Sequence, residues 1–178
     1  MTGRRDDEHS TLALLLKLFV FTVCVPGSVT VWLPFYALFP AIRHRPIDCT
    51  AVAVGVIILI TAGAIGYLWC ALEFTFRGKG TPAPIDMPRR LVAQGLYRYT
   101  RNPMYLSVLS VLVGESALFR SLHLWAYAAV VALLFHLFVL LHEEPTLRRK
   151  MGAAYEQYCK DVPRWIPRVA RKMRDHAV

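Results

Sequence analysis

Acidic side chains are scarce in this chain. Across 178 residues, 12 Asp and Glu stand against 21 Lys and Arg, a formal net charge of +9. Cysteine is also sparse. Cys24, Cys49, Cys70 and Cys159 form no CxxC pair, which argues against a zinc site or a disulfide framework. Three of them lie in or beside apolar stretches, where a free thiol acts as a small hydrophobe. The six histidines are scattered. No HxxxH series, HExxH, GxSxG or Walker loop is present, so di-iron, metalloprotease, serine-hydrolase and nucleotide-phosphate readings lack their motifs. No residue set reads as a metal site. No basic helix or aromatic-basic module is visible, and nucleic acid is not an expected partner despite the charge. Internal repeats and low-complexity tracts are missing too.

What the chain has instead is apolar length. Its apolar fraction is 56%, above the roughly 45–50% usual for soluble domains, and the excess sits in long blocks bounded by basic stretches. About 20 apolar residues carry a helix across a bilayer core. The first block, 11–42, would measure roughly 45 Å as one helix at about 1.5 Å per residue. It contains Pro26, Gly27 and Pro34, so it reads as one kinked or broken span, with a tight helical hairpin as the alternative. It is too long for a signal-peptide core and lacks a small-residue cleavage site, so it is expected to be retained. Lys17 within it is placed to snorkel to the interface.

The second block, 49–72, is a clean span. Its Gly55, Ala62 and Gly66 fall near one face, suited to close helix packing. Block 105–119 is short, and block 122–141 follows it after Arg120 and Ser121, so the two form a helical hairpin. The expected architecture is an all-α polytopic bundle of four, or at most five, transmembrane helices in a single domain. A cap made from 73–104 and 142–178 closes one end. Counted by segment, Lys and Arg number two before the first span, six in loop 73–104 and nine in the tail. The other two loops hold two and one. The positive-inside rule puts the loop and the tail in the cytoplasm, where basic residues also meet anionic lipid headgroups.

Chemistry is expected in the loop and tail. In Gly95-Leu96-Tyr97-Arg98-Tyr99-Thr100-Arg101-Asn102-Pro103-Met104-Tyr105, Pro103 suits the first helical turn and Asn102 the N-cap before it. Free amides at that helix start, with Arg101 beside them, make an anion site. The plainer reading is a cap with an interfacial tyrosine belt. At the end of the fourth block come His142, Glu143, Glu144 and Pro145. Two acids at a helix C-terminus oppose the dipole and need partners at a membrane boundary. Those partners are a cationic ligand, an arginine elsewhere, or simply Arg148 and Arg149 on the next turn. His136, seven residues before Glu143, falls on roughly the same face. Tyr155, Tyr158 and Trp165 favour an interface, and the tail carrying them either lies on the surface or folds over the loop to close a pocket. Glu115, a lone acid in an apolar block, is a functional suspect by default, with Arg120 and His123 as candidate partners.

Taken in order, these motifs resemble those of the isoprenylcysteine carboxyl methyltransferase family, and especially its small bacterial relatives. The resemblance rests on Gly95-x-Tyr97-Arg98-x-x-Arg101-Asn102-Pro103-x-Tyr105, on Glu143-Glu144-x-x-Leu147, on Gly152-x-x-Tyr155-x-x-Tyr158 and on Val162-Pro163-Arg164-x-x-Pro167. It covers about residues 78–168. It implies a membrane enzyme of the bacterial inner membrane that uses S-adenosylmethionine and methylates a lipophilic acceptor reached from the bilayer. The acceptor group would be a carboxylate or another group of an isoprenoid, lipid or small molecule. By the same resemblance, Tyr97, Arg101, Asn102, Pro103, Tyr105, His142, Glu143 and Glu144 would bind the cofactor. Arg101, Asn102 and Arg164 would act at the reacting centre, Arg164 by recognising an acidic acceptor. A sulfonium and an ammonium suit the glutamates, and a carboxylate suits an arginine or a helix N-terminus. Methylating a carboxylate needs alignment and a dry site more than a base. An amine or hydroxyl acceptor would call on His142 or a glutamate. The eukaryotic-type motif has His where this chain has Asn102, which keeps hydrogen bonding but cannot exchange a proton near neutral pH. Competing expectations are a nicotinamide-dependent reductase of the sterol-reductase type and a non-catalytic membrane protein.

Overall fold

The computed structural model describes residues 3–36, 51–78 and 93–168, and these form helices and short turns with no strand. Three helices are long and apolar enough to cross a membrane: Leu14–Tyr36, Ala53–Phe76 and Leu122–Met151. A shorter apolar helix, Pro103–Leu118, stands beside them. Their outer faces carry large exposed apolar side chains, among them Leu16, Phe19, Ile58 and Leu134. So much uncovered hydrocarbon on a helical bundle, with its backbone groups satisfied within the helices, belongs in lipid. The chain is an integral membrane protein.

Helix α1 (Gly3–Cys24) runs on through a π-helical turn at Ser28–Trp32 to Tyr36. Pro26 has no amide hydrogen to donate and loosens the ladder just before that turn. Hydroxyls take up nearby carbonyls: Ser28 Oγ donates to Cys24 O, and Thr30 Oγ1 donates to Pro26 O at 2.8 Å. The remainder of the first apolar block, 37–42, lies outside the described residues.

Helix α2 (Ala51–Gly78) packs along α3 (Pro103–Leu118) at glycine contacts. A Cβ on Gly63 would lie 2.8 Å from Ser107 O, and one on Gly114 would overlap the side chain of Ile60. The small-residue face differs from the one the sequence suggested. Gly63 and Gly66 meet α3, while Gly55 has nothing within 4 Å of where its Cβ would be and Ala62 is exposed. Spacing alone does not fix which side of a uniformly apolar helix finds the neighbour.

Arg120, at a positive φ of 48°, turns the chain between α3 and α4 (Leu122–Phe138). Ser121 caps α4 by accepting from the Leu124 amide. A second π-helical turn, Val139–Glu143, joins α4 to α5 (Glu144–Met151). Gly152, at φ 54°, then permits the bend into α6 (Ala153–Asp161). Two apolar clusters hold the bundle. One gathers Leu18, Tyr67, Ala71 and Val108, and the other Leu112, Ala128 and Val131.

Candidate functional site

The C-terminal end of α2, the start of α3 and the end of α4 converge at one end of the bundle, beneath residues 93–102 and the tail. A 3-10 turn, Gly95–Arg98, places Tyr97 against Cys70 of α2. Gly95 has φ +57°, and a Cβ there would overlap the carboxylate of Glu73. This is a position where only glycine avoids both backbone strain and a clash.

The tail is stitched onto this segment. The Arg101 amide donates to Pro163 O at 2.9 Å, and the Arg168 amide to Tyr99 O at 3.1 Å. Thr100 Oγ1 and Asn102 Nδ2 both donate to Arg164 O, at 3.0 and 3.1 Å. Tyr158 donates to Tyr97 O at 2.7 Å. Trp165 Nε1 donates to His136 Nδ1 at 3.0 Å, anchoring the strap on α4. Asn102 thus precedes Pro103 at the N-cap position, but its side chain makes no cap bond. It holds the tail instead.

Glu144 is 5% exposed. Oε1 accepts from Arg101 Nη1 at 3.0 Å and from Arg164 Nε at 2.7 Å, and Oε2 accepts from Arg164 Nη2 at 3.0 Å. The bonded partners are distant arginines rather than Arg148 and Arg149 of the next turn. The bond to Glu144 pushes the Arg164 guanidinium's pKa up, against the opposing effect of burial. Arg101 Nη1 also reaches Cys159 Sγ at 2.9 Å. Its Nε is buried with no hydrogen-bond partner among the described residues. Glu143 accepts from the Tyr105 hydroxyl at 3.0 Å, and Tyr105 packs on Phe135 with ring centroids 4.7 Å apart.

Between these groups lies a cavity of about 40 Å³. Tyr97, Arg101, Asn102, Glu143 and Glu144 line it, together with Phe74, Leu147, Tyr155 and Tyr158. Burial pushes the phenols of Tyr97, Tyr155 and Tyr158 upward, so they stay neutral hydrogen-bonding groups. Of the residues singled out in sequence, Tyr97, Arg101, Asn102, Glu143, Glu144, Leu147, Tyr155 and Tyr158 meet around the cavity. Pro103 is buried at the start of α3, Tyr105 touches the site through Glu143, and Arg164 closes it through Glu144. His142 does not join them. It is exposed, off the cavity wall and packed against Phe138 with centroids 5.2 Å apart, since neighbouring residues on a helix point about 100° apart. Sequence reasoning missed Glu73, Phe74 and Thr100. An acid at the end of a span was a usable signal for Glu73; Phe74 and Thr100 carried none. Among the described residues no group of three His, Cys, Asp or Glu is placed to hold a metal ion.

A family model described as phospholipid methyltransferase matches residues 50–154 of this chain. Among curated proteins, the nickel-cobalt-cadmium resistance protein NccN of Alcaligenes xylosoxydans xylosoxydans is 30% identical over 111 residues, covering 62% of this chain and 47% of that protein. The cobalt-zinc-cadmium resistance protein CzcN of Cupriavidus metallidurans is 28% identical over 113 residues, with the same shares. The chain spans about half the length of these curated relatives. No solved structure matches.

Proposed function

Since the chain belongs to the phospholipid methyltransferase family, one of isoprenylcysteine carboxyl methyltransferase-like membrane methyltransferases, we propose that it transfers a methyl group from S-adenosylmethionine to a lipophilic acceptor. The observation that carries this reading is the pairing, in one cavity, of Glu143 with the unpartnered Nε of Arg101. An acceptor of cationic hydrogen bonds and a buried donor without an acceptor are a complementary set for a ligand bearing an ammonium and a carboxylate. The bound cofactor would supply an electrophilic sulfonium methyl, which passes to a lone pair on the acceptor and leaves a neutral thioether.

The chain's own residues bind, orient and exclude water. Glu143, held by Tyr105, would face the cation. Arg101 Nε would face the carboxylate. Glu144 is already committed to two guanidiniums, so it sets the positions of Arg101 and the tail rather than meeting the ligand. Phe74, Leu147, Tyr155 and Tyr158 keep the cavity dry, which strengthens each electrostatic contact inside it. Binding sites for ligands of this size occupy about 300–1,000 Å³, well above the cavity found here. Occupancy therefore requires the cavity to widen. The exposed apolar helix faces give a lipophilic acceptor access from the bilayer. The positive-inside count supports a cytoplasmic position for this end of the bundle, and the resemblance to small bacterial methyltransferases supports a bacterial inner membrane.

The test is calorimetric binding of S-adenosylmethionine and of its demethylated product to the purified full chain, with Glu143→Gln and NADPH alongside. Micromolar binding of both, weakened in the variant, is expected. Absence of binding by monodisperse protein, or binding of NADPH instead, overturns the reading in favour of a non-catalytic protein or a reductase.

A further inference from the structure

A second, larger cavity of about 370 Å³ lies within the membrane-spanning part, where α1 stands off from the tightly packed α2 and α3. Its walls include Thr22, Gly27, Val31, Ala64, Leu68 and Glu115. Val31 and Leu68 are more than half exposed, so the cavity opens toward lipid. It is separate from the loop-end site. The apolar cluster of Leu18, Tyr67, Ala71 and Val108, with Met104 and Phe135 against it, lies between them. Glu115 lies about 20 Å beyond Asn102 along α3, at roughly 1.5 Å per residue.

The walls are apolar except where they should not be. Glu115 Oε2 is buried and has no hydrogen-bond partner among the described residues. None of the nearby hydroxyls donates to it. Thr22 and Tyr67 pair with each other at 3.0 Å, Thr30 donates to Pro26 O, and Tyr127 donates to Val29 O at 2.8 Å. Arg120 and His123, the partners expected from sequence, do not reach this oxygen. A polar oxygen left without a donor in hydrocarbon is costly, and an intramembrane acid facing a cavity marks a functional position. The π-helical turn Ser28–Trp32 runs along the same cavity, and such turns concentrate at functional sites.

We propose that this cavity binds a membrane-soluble molecule made of one apolar chain or ring system and a single hydrogen-bond-donating head, a hydroxyl or an amine, seated against Glu115. The volume is at the small end of the ligand range and admits one such body. The missing donor at Glu115 selects the head. This site stands whether or not the loop-end cavity transfers methyl groups.

The test uses the full chain in lipid nanodiscs and two photoreactive probes, a long-chain primary alcohol with a mid-chain diazirine and the same chain as its methyl ether. Crosslinks are mapped by mass spectrometry. The alcohol is expected to label residues around the cavity. Labelling should fall about tenfold for the ether and for Glu115→Leu, the effect of losing one hydrogen bond to a charged group. Ala64→Trp, which fills the cavity from a position facing lipid, should abolish it. Equal labelling by the ether, labelling spread over outer residues such as Phe19 and Ile58, or unchanged labelling of Ala64→Trp overturns the proposal. If Glu115→Leu does not fold, the ether and Ala64→Trp decide between these results.

Discussion

Arg164 lies 20 positions after Glu144 and grips it with two prongs of its guanidinium, Nε to Oε1 at 2.7 Å and Nη2 to Oε2 at 3.0 Å. Arg101, from the other side of the cavity, shares Oε1. One carboxylate therefore ties the loop, the α4–α5 helix and the tail together.

Glu144→Ala should destabilise the protein by about 3–5 kcal/mol, because it strands the buried guanidinium of Arg101. Arg164→Lys keeps the charge but loses the fork, and Arg164 is partly exposed, so its loss should be about 1 kcal/mol. Chemical or thermal unfolding in a single detergent, followed by tryptophan fluorescence, measures both. Equal losses would show that Arg101 does not depend on Glu144.

Glu143 and Glu144 should separate in function despite being neighbours. Glu143→Gln is expected to weaken S-adenosylmethionine binding about tenfold or more, since a charge-assisted bond is worth about 1.5–3 kcal/mol, with little change in unfolding. Glu144→Gln should show the reverse balance. Paired calorimetry and unfolding on the two variants give the comparison.

Gly95→Ala should impair the site more than its size suggests. The left-handed backbone costs roughly 1–2 kcal/mol for a residue with a Cβ, and the new methyl also displaces the Glu73 carboxylate. Faster limited proteolysis of the 93–102 segment and a lowered melting temperature are the expected readouts.

Along α2, two glycine substitutions should behave oppositely. Gly63→Ala drives a methyl toward Ser107 O and should lose about 1–3 kcal/mol through overpacking. Gly55→Ala meets nothing and should be neutral or slightly stabilising. Thermal unfolding of the pair distinguishes a glycine kept for close approach from one that is incidental.

The helices were legible because apolar length and proline placement act locally. The convergence of Arg101, Asn102, Glu143 and Glu144 was legible only through the order of the motifs, since no spacing rule joins residues 43 positions apart, as Arg101 and Glu144 are. Local rules misled where tertiary contacts took over. Asn102 suited a cap but serves the Arg164 carbonyl, and Glu144 hydrogen-bonds Arg101 and Arg164, with Arg148 of the next turn acting on it only as a nearby charge. The phase of α2 was illegible for another reason: nearly every face of that helix is apolar, so periodicity holds no information about which one meets α3.

The π-helical turn at Val139–Glu143 has a consequence for how the Leu122–Met151 helix tolerates change in length. A turn that closes over five residues carries one more than an α-helix needs, so everything after it is rotated by about 100° relative to everything before it. The span thus works as two helices in different phase: Leu122–Phe138 is set by its neighbours in the bundle, and Glu144–Met151 by the loop and tail. Removing Leu140 or Leu141 would leave a smoother helix, shorter by at most one residue's rise of about 1.5 Å. It would also swing Glu144 out of reach of both arginines, so in this stretch a one-residue deletion is a change of angle before it is a change of distance.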